Sequence, residues 1–223
     1  MSSNFRRVLS STVGTKLLIG VTGLAMFVYM ILHLVGNALI FGGQDLFNEY
    51  SHVLISNPLI IPIEIALLLI FVLHVYKTII NYLQNNSARP IGYEKKAYAG
   101  HTSRKSIASS TMIVSGLFLL LFVIVHVKQF KYGAWYQTQG ATPVRDLYRL
   151  EVEVFQRPLW VLFYLLGTFT VGLHLRHGIA SGFQSLGLDH PLYARRLTAW
   201  GVLLAVIIGG GLMLIPVWVY LTR

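Results

Sequence analysis

The chain contains no cysteine. That absence removes disulfides, thiolate metal sites, iron–sulfur ligation and covalent c-type haem attachment. Charge is scarce as well: 12% of the 223 residues are Asp, Glu, Lys or Arg, and only eight of these are acidic. Soluble domains carry about 25% charged residues. With 55% hydrophobic residues and a mean hydropathy of +0.63, the composition is that of a membrane protein. The formal charge of +10 is a feature of nucleic-acid binders, but in so apolar a chain it fits basic cytoplasmic loops, and no nucleic-acid partner is expected. The start, MSSNFRRVLSSTVGTK, has no run resembling a cleaved signal, so the first apolar segment is expected to be a retained helix.

What the chain does have is long apolar runs. Five spans, roughly 17–41, 59–83, 107–130, 159–182 and 197–221, are each long enough to cross a hydrocarbon core of about 30 Å. The connections are 42–58, 84–106, 131–158 and 183–196, and the longest is expected to hold a short interfacial helix. No domain boundary is visible, so 1–223 is one domain. With the N-terminus cytoplasmic, twelve Lys and Arg fall on that side and six on the other, which predicts N-in, C-out.

Each of the first four spans carries one histidine flanked by Leu or Val: His33, His74, His126 and His174. The fifth has none. Pro58-Leu59 and Pro158-Leu159 precede His74 and His174 by nearly equal distances, and proline suits a first helical turn. These two histidines therefore share a depth about 24 Å from the outer end. Alternating helix direction puts His33 and His126 toward the outside, His74 and His174 toward the inside. Two facing histidines can hold one planar metal cofactor through neutral imidazole nitrogens. Zinc would want three or four ligands in one cluster, so the pattern predicts two bis-histidine haems b stacked across the membrane. Gly20, Gly23, Gly116, Gly167 and Gly172 precede these histidines and are small enough to let a macrocycle approach. A lone membrane histidine more often bonds a neighbouring helix; it is the four together, at two depths, that favour ligation.

The segments SSTVGTKLLIGVTGL (10–24), HLVGNALIF (33–41), FNEYSHVL (47–54), NPLIIPIEIALL (57–68), NNSARPIGY (85–93), SSTMIVSGL (109–117) and HLRHGIASGFQSLG (174–187) resemble the five-helix, di-haem cytochrome b subunit of succinate dehydrogenase and fumarate reductase, over nearly the whole chain. The resemblance implies an all-α integral membrane protein of the cytoplasmic membrane whose first four helices form a haem-binding bundle. It implies His33 and His126 on a distal haem iron, and His74 and His174 on a proximal one. It also implies a flavoprotein and an iron–sulfur subunit docked on the cytoplasmic face, with electrons passing to a membrane quinone, menaquinone by the resemblance. Such complexes also associate into higher oligomers.

Glu64 is the one acid within a span, about 9 Å from its outer end. An intramembrane acid is a functional candidate by default, and Glu64 is expected either to exchange protons at a distal quinone site or to cap a helix or bond a propionate. Propionate partners are expected among Lys77, Arg104, Lys105 and Arg176 on the inside, and Lys128, Lys131, Asn37, His52 and Tyr50 on the outside. Interfacial Lys and Arg usually just reach for headgroups. His177 lies three residues past His174, as Lys77 lies three past His74. It is therefore expected at the cytoplasmic haem rim or in a proximal quinone pocket with Ser181 and Gln184. Trp135 and Tyr136 are interfacial anchors or a quinone entrance. The competing readings are a cytochrome b subunit of another quinone-linked dehydrogenase, a haem-free transporter with a histidine proton relay, and a structural anchor.

Overall fold

The structure, a computed structural model, describes residues 7, 11–88, 111–139, 143–188 and 190–223. Among these residues all repeating structure is helical, apart from one isolated bridge between Gln137 and Arg145. The helices are α1 (Thr12–Ala38), which runs into a 3-10 turn at Leu39–Gly42, α2 (Gln44–Ser56), α3 (Ile60–Ser87), α4 (Met112–Phe130), α5 (Leu147–Phe155), α6 (Pro158–Ser185) and α7 (Pro191–Thr222). Five segments are long and apolar enough to cross a membrane: Thr12–Gly42, Ile60–Ser87, Met112–Phe130, Pro158–Ser185 and Ala194–Thr222. They match the five expected spans, although 107–110 lie outside the described residues. The expected short helix in the longest connection is α5. The helix α2, in a connection taken for polar loop, was not expected.

Local chemistry sets the helix ends. Ser11 Oγ accepts from Gly14 N at 3.0 Å and caps α1. Pro158 opens α6 at the first position, where its missing N–H costs nothing. Pro58 does not do the same: it lies in a turn before α3, where Asn57 Oδ1 accepts from Leu59 N at 2.9 Å. Gly43, at φ 98°, makes the reversal into α2 that a side chain would strain.

Side-chain contacts give the packing directions. Thr22 of α1 meets His74 of α3, Gly20 of α1 meets Gly182 and Ser185 of α6, Phe122 of α4 meets Gly167 of α6, and Gly172 of α6 meets Gly209 of α7. Phe41 and Trp218 meet edge to face at 5.0 Å where α1 and α7 finish. Hence α1, α4 and α7 run one way and α3 and α6 the other. The end where α1 begins is called near, and the end where it finishes far.

The buried apolar core is concentrated toward the far end and includes Ile40, Phe47, Phe122, Leu150, Phe155, Tyr164, Ile215 and Val219. The helices α2 and α5 cap that end and are stitched through Asp146. Its carboxylate accepts from Gln44 Nε2 and Asn48 Nδ2, both at 2.7 Å, and from Arg149 N at 3.0 Å, which caps α5. By contrast α3 has no buried residue and α4 only Phe122.

The tightest seam joins α6 to α7. A Cβ on Gly209 would sit 2.9 Å from Gly172 Cα, and backbone cannot step aside. Small residues that let helices touch are what hold bundles together in lipid. Gly209→Ala should therefore destabilise the fold by about 1–3 kcal/mol through overpacking. Gly210→Ala, where the added carbon meets nothing within 4 Å, should leave the thermal midpoint in detergent unchanged.

Candidate functional site: two histidine pairs

The four helices α1, α3, α4 and α6 bring their histidines together in two layers. In the far layer His33 and His126 face each other across the bundle, with ring centres 5.7 Å apart and planes at 83°. Two imidazoles each bonded to one metal at about 2 Å, as in zinc–histidine sites, have ring centres roughly 6 Å apart. In the near layer His74 and His174 lie close enough to feel each other's charge. Among the described residues no three of His, Asp or Glu converge, so the histidines meet in twos.

Each ring is held through Nδ1. In the near layer His74 Nδ1 lies 3.0 Å from Thr22 Oγ1, and His174 Nδ1 lies 3.1 Å from Ser115 Oγ. In the far layer His126 Nδ1 is 3.5 Å from the Tyr164 hydroxyl, which itself donates to Gln129 Oε1 at 2.8 Å. His33 Nδ1 is 3.4 Å from both Tyr29 Oη and Asn37 Nδ2, each on its own helix. Aromatic rings confine the far layer further. Phe122 lies parallel to His126 at 6.0 Å, Phe130 tilts against it at 5.4 Å, and Tyr29 stacks on His33 at 5.5 Å.

Only some of the expected glycines touch these rings. A Cβ on Gly23 would meet His74 Cε1 at 3.1 Å, and one on Gly116 would meet His174 Cε1 at 3.6 Å. Gly20, Gly167 and Gly172 instead make room for neighbouring helices, against Ser185, Phe122 and the Gly209 backbone. They are packing residues because the side chains or backbone of α6, α4 and α7 already fill the space they open.

Glu64 is not isolated. Its carboxylate pairs with Lys131 at the end of α4, both side chains about two-fifths exposed at 42% and 41%, and it lies near Tyr29. Two residues expected as separate partners of a cofactor thus hold each other. Tyr50, on α2, sits over Gly36 of α1, while His52 is exposed. On the near side, His177 is half-buried and close to His174. Lys77 and Ser181 are half-buried and Arg176 is exposed. Gln184 lines a small crevice between α6 and α7 with Ala180 and Thr198. Arg104 and Lys105 lie outside the described residues. Trp135 stacks beneath the Arg145 guanidinium at 4.7 Å, and Tyr136 donates to Glu153 Oε2 at 2.6 Å.

Several polar groups at the site escaped sequence reasoning. Thr78 Oγ1 and Asn81 Oδ1 follow His74 by one and two turns of α3 and are buried without a hydrogen-bond partner. Thr22, Ser115 and Tyr164 hold rings from other helices. Their signal in the chain is faint: Thr22-Gly23-Leu24 and Ser115-Gly116-Leu117 stand at the same spacing before His33 and His126. Glu151, on α5, is buried, its Oε2 has no partner, and it lies near Tyr164.

No protein-family model, curated protein or solved structure matches this chain.

Burial pushes the Glu151 carboxyl up to about 8 from 4.5. A raised folded-state value means that the fold binds this proton more tightly than the unfolded chain does. Its stabilisation is complete below about 4.5 and is lost as pH rises through about 8. The loss should be on the order of a few kcal/mol. Glu151→Gln keeps the shape without the titration, so its thermal midpoint should stay flat over that window while the parent's falls.

Proposed function

We propose that the chain is the membrane anchor and electron-transfer subunit of a succinate:quinone oxidoreductase, holding two haems b between paired histidines. The observation that carries this reading is the sorting of four histidines, one from each of four antiparallel helices, into two facing pairs at two depths. Haem held by two histidines supplies one-electron transfer at each layer.

The residues fit such a group in several ways. An Nδ1 engaged by a neighbour leaves Nε2 as the ligand atom. Gly23 and Gly116 leave the flank of the near-layer rings free of side chains. The unpartnered Thr78 hydroxyl and Asn81 amide oxygen lie on the His74 face, where an anionic propionate would need donors. Thr78 can donate directly, and the amide can present its NH2 after a flip. The near layer is the proximal, cytoplasmic one if the Lys and Arg distribution sets the orientation. His177, Lys77, Arg176, Ser181 and Gln184 then belong to the rim facing the flavoprotein and iron–sulfur subunits. The sequence resemblance supports those partners and menaquinone.

Glu64 stands at the far edge beside Tyr29, with Lys131 as counter-charge. In this reading it accepts and releases the proton that quinone chemistry exchanges there. Lys131 gives this intramembrane acid an ion-pair partner.

The deciding measurement is the reduced-minus-oxidised optical spectrum of the purified chain with haem quantified. Two haems b per chain are expected, and none would overturn the proposal. His33→Ala and His126→Ala should each remove one and the same haem, His74→Ala and His174→Ala the other. Co-purification of flavin- and iron–sulfur-containing subunits separates the succinate reading from other dehydrogenases. Glu64→Gln should lower quinone-linked turnover by about 10²-fold or more, the scale of general acid–base catalysis, with both haem spectra intact; unchanged turnover would remove Glu64 from the mechanism.

A further inference from the structure

Thr22 and Ser115 occupy matching places. Each stands eleven residues before a far-layer histidine and directly before Gly-Leu, in Thr22-Gly23-Leu24 up to His33 and Ser115-Gly116-Leu117 up to His126. Eleven residues are three turns, within about 20° of the same face and about 16 Å along the axis. So α1 and α4 each present a hydroxyl beside a glycine at one level and a histidine at the other.

Each hydroxyl has a backbone carbonyl of its own helix within donating reach. Thr22 Oγ1 donates to Leu18 O at 2.6 Å, with Ile19 O at 3.2 Å, and Ser115 Oγ donates to Met112 O at 3.1 Å. Toward the histidines, at 3.0 and 3.1 Å, each oxygen can therefore only accept. With the hydroxyls donating to their own helices, Nδ1 of His74 and of His174 carries the hydrogen and Nε2 keeps its lone pair. The bond also holds each ring against the adjacent glycine, since a Cβ on Gly23 or Gly116 would lie 3.1 or 3.6 Å from the ring carbon. No far-layer ring has so short a partner at Nδ1, where the distances are 3.4 and 3.5 Å.

We propose that Thr22 and Ser115 are positioning residues for the near-layer cofactor, each fixing the tautomer and plane of a histidine on the neighbouring helix, and that α1–α3 and α4–α6 are two copies of one ligand-presenting unit. The inference rests on the di-haem reading. A hydroxyl that accepts from Nδ1 gives the ring more imidazolate character and makes it a stronger donor to ferric iron. Removing it raises the reduction potential of that haem and frees the ring to turn.

The test uses the full chain purified with its haems. Potentiometric titration gives the two midpoints, and low-temperature electron paramagnetic resonance gives the two low-spin signals. Thr22→Val keeps the shape and loses the hydroxyl; Thr22→Ser keeps the hydroxyl. Ser115→Ala and Ser115→Thr make the same comparison on α4. Thr22→Val and Ser115→Ala should each raise one midpoint and move one low-spin signal, of the same haem in both. That haem should be retained about 10–100-fold less tightly, while Thr22→Ser and Ser115→Thr resemble the parent. Should Thr22→Val fail to accumulate, the Ser115 pair decides. Unchanged signals, a response in the haem that depends on His33, or hydroxyl-bearing variants as impaired as those without it would overturn the inference while leaving the di-haem reading intact. A parent chain with no haem would instead remove the reading beneath it.

Discussion

An imidazole inside a helix bundle has two nitrogens, and in hydrocarbon neither can be left to water. The near layer meets that demand with one hydrogen bond made twice, from a ring N–H to a hydroxyl that has already given its proton to its own helix. A free hydroxyl could donate or accept and would leave the tautomer open. A committed one can only accept. Serine and threonine bonding back one turn is usually a small cost to a helix, but here it turns an ambiguous partner into a directional one. With Nδ1 so engaged, Nε2 is the nitrogen that the proposed haem would take at this layer.

The rest of the bundle holds these bonds in register. Helices in lipid gain little from hydrophobic burial against one another, so close backbone contact and side-chain fit carry the association. Gly20 against Gly182, Gly167 beneath Phe122 and Gly172 against Gly209 bring α1, α4 and α7 onto α6. The helix α6 is thus fixed on three sides, and His174 is fixed with it. The helix α3 has no buried residue, yet its His74 is tied to the well-packed α1 through Thr22. At the far end the Asp146 stitch locks α2 to α5 over the aromatic cluster around His126 and Tyr164.

Two described acids toward the far end have contrasting settings. Glu64 is matched by Lys131, whereas Glu151 is buried beside Tyr164 with an unpartnered oxygen. The first has a cation directly beside it. The second is accommodated as the neutral acid, because a buried charge without a partner costs far more than a proton held at neutral pH.

Hydropathy alone determined the five spans and their alternation, because a bilayer core demands about twenty apolar residues wherever a helix crosses it. One histidine per helix and opposite helix directions were then enough to sort the four into two layers. What only the tertiary structure decided is which atoms meet. Nothing local in Gly23 and Gly167 tells that the first faces a histidine and the second a phenylalanine, since each is simply a helix residue without a side chain. The polar connection at 42–58 hid α2, because its buried face of Phe47, Asn48 and Ser51 is mixed and becomes a face only against α5. The role of the near-layer hydroxyls was hidden for the same reason. Whether a serine or threonine in a helix binds its own backbone, a neighbour or both depends on what lies across the groove, and that is a property of the packed bundle.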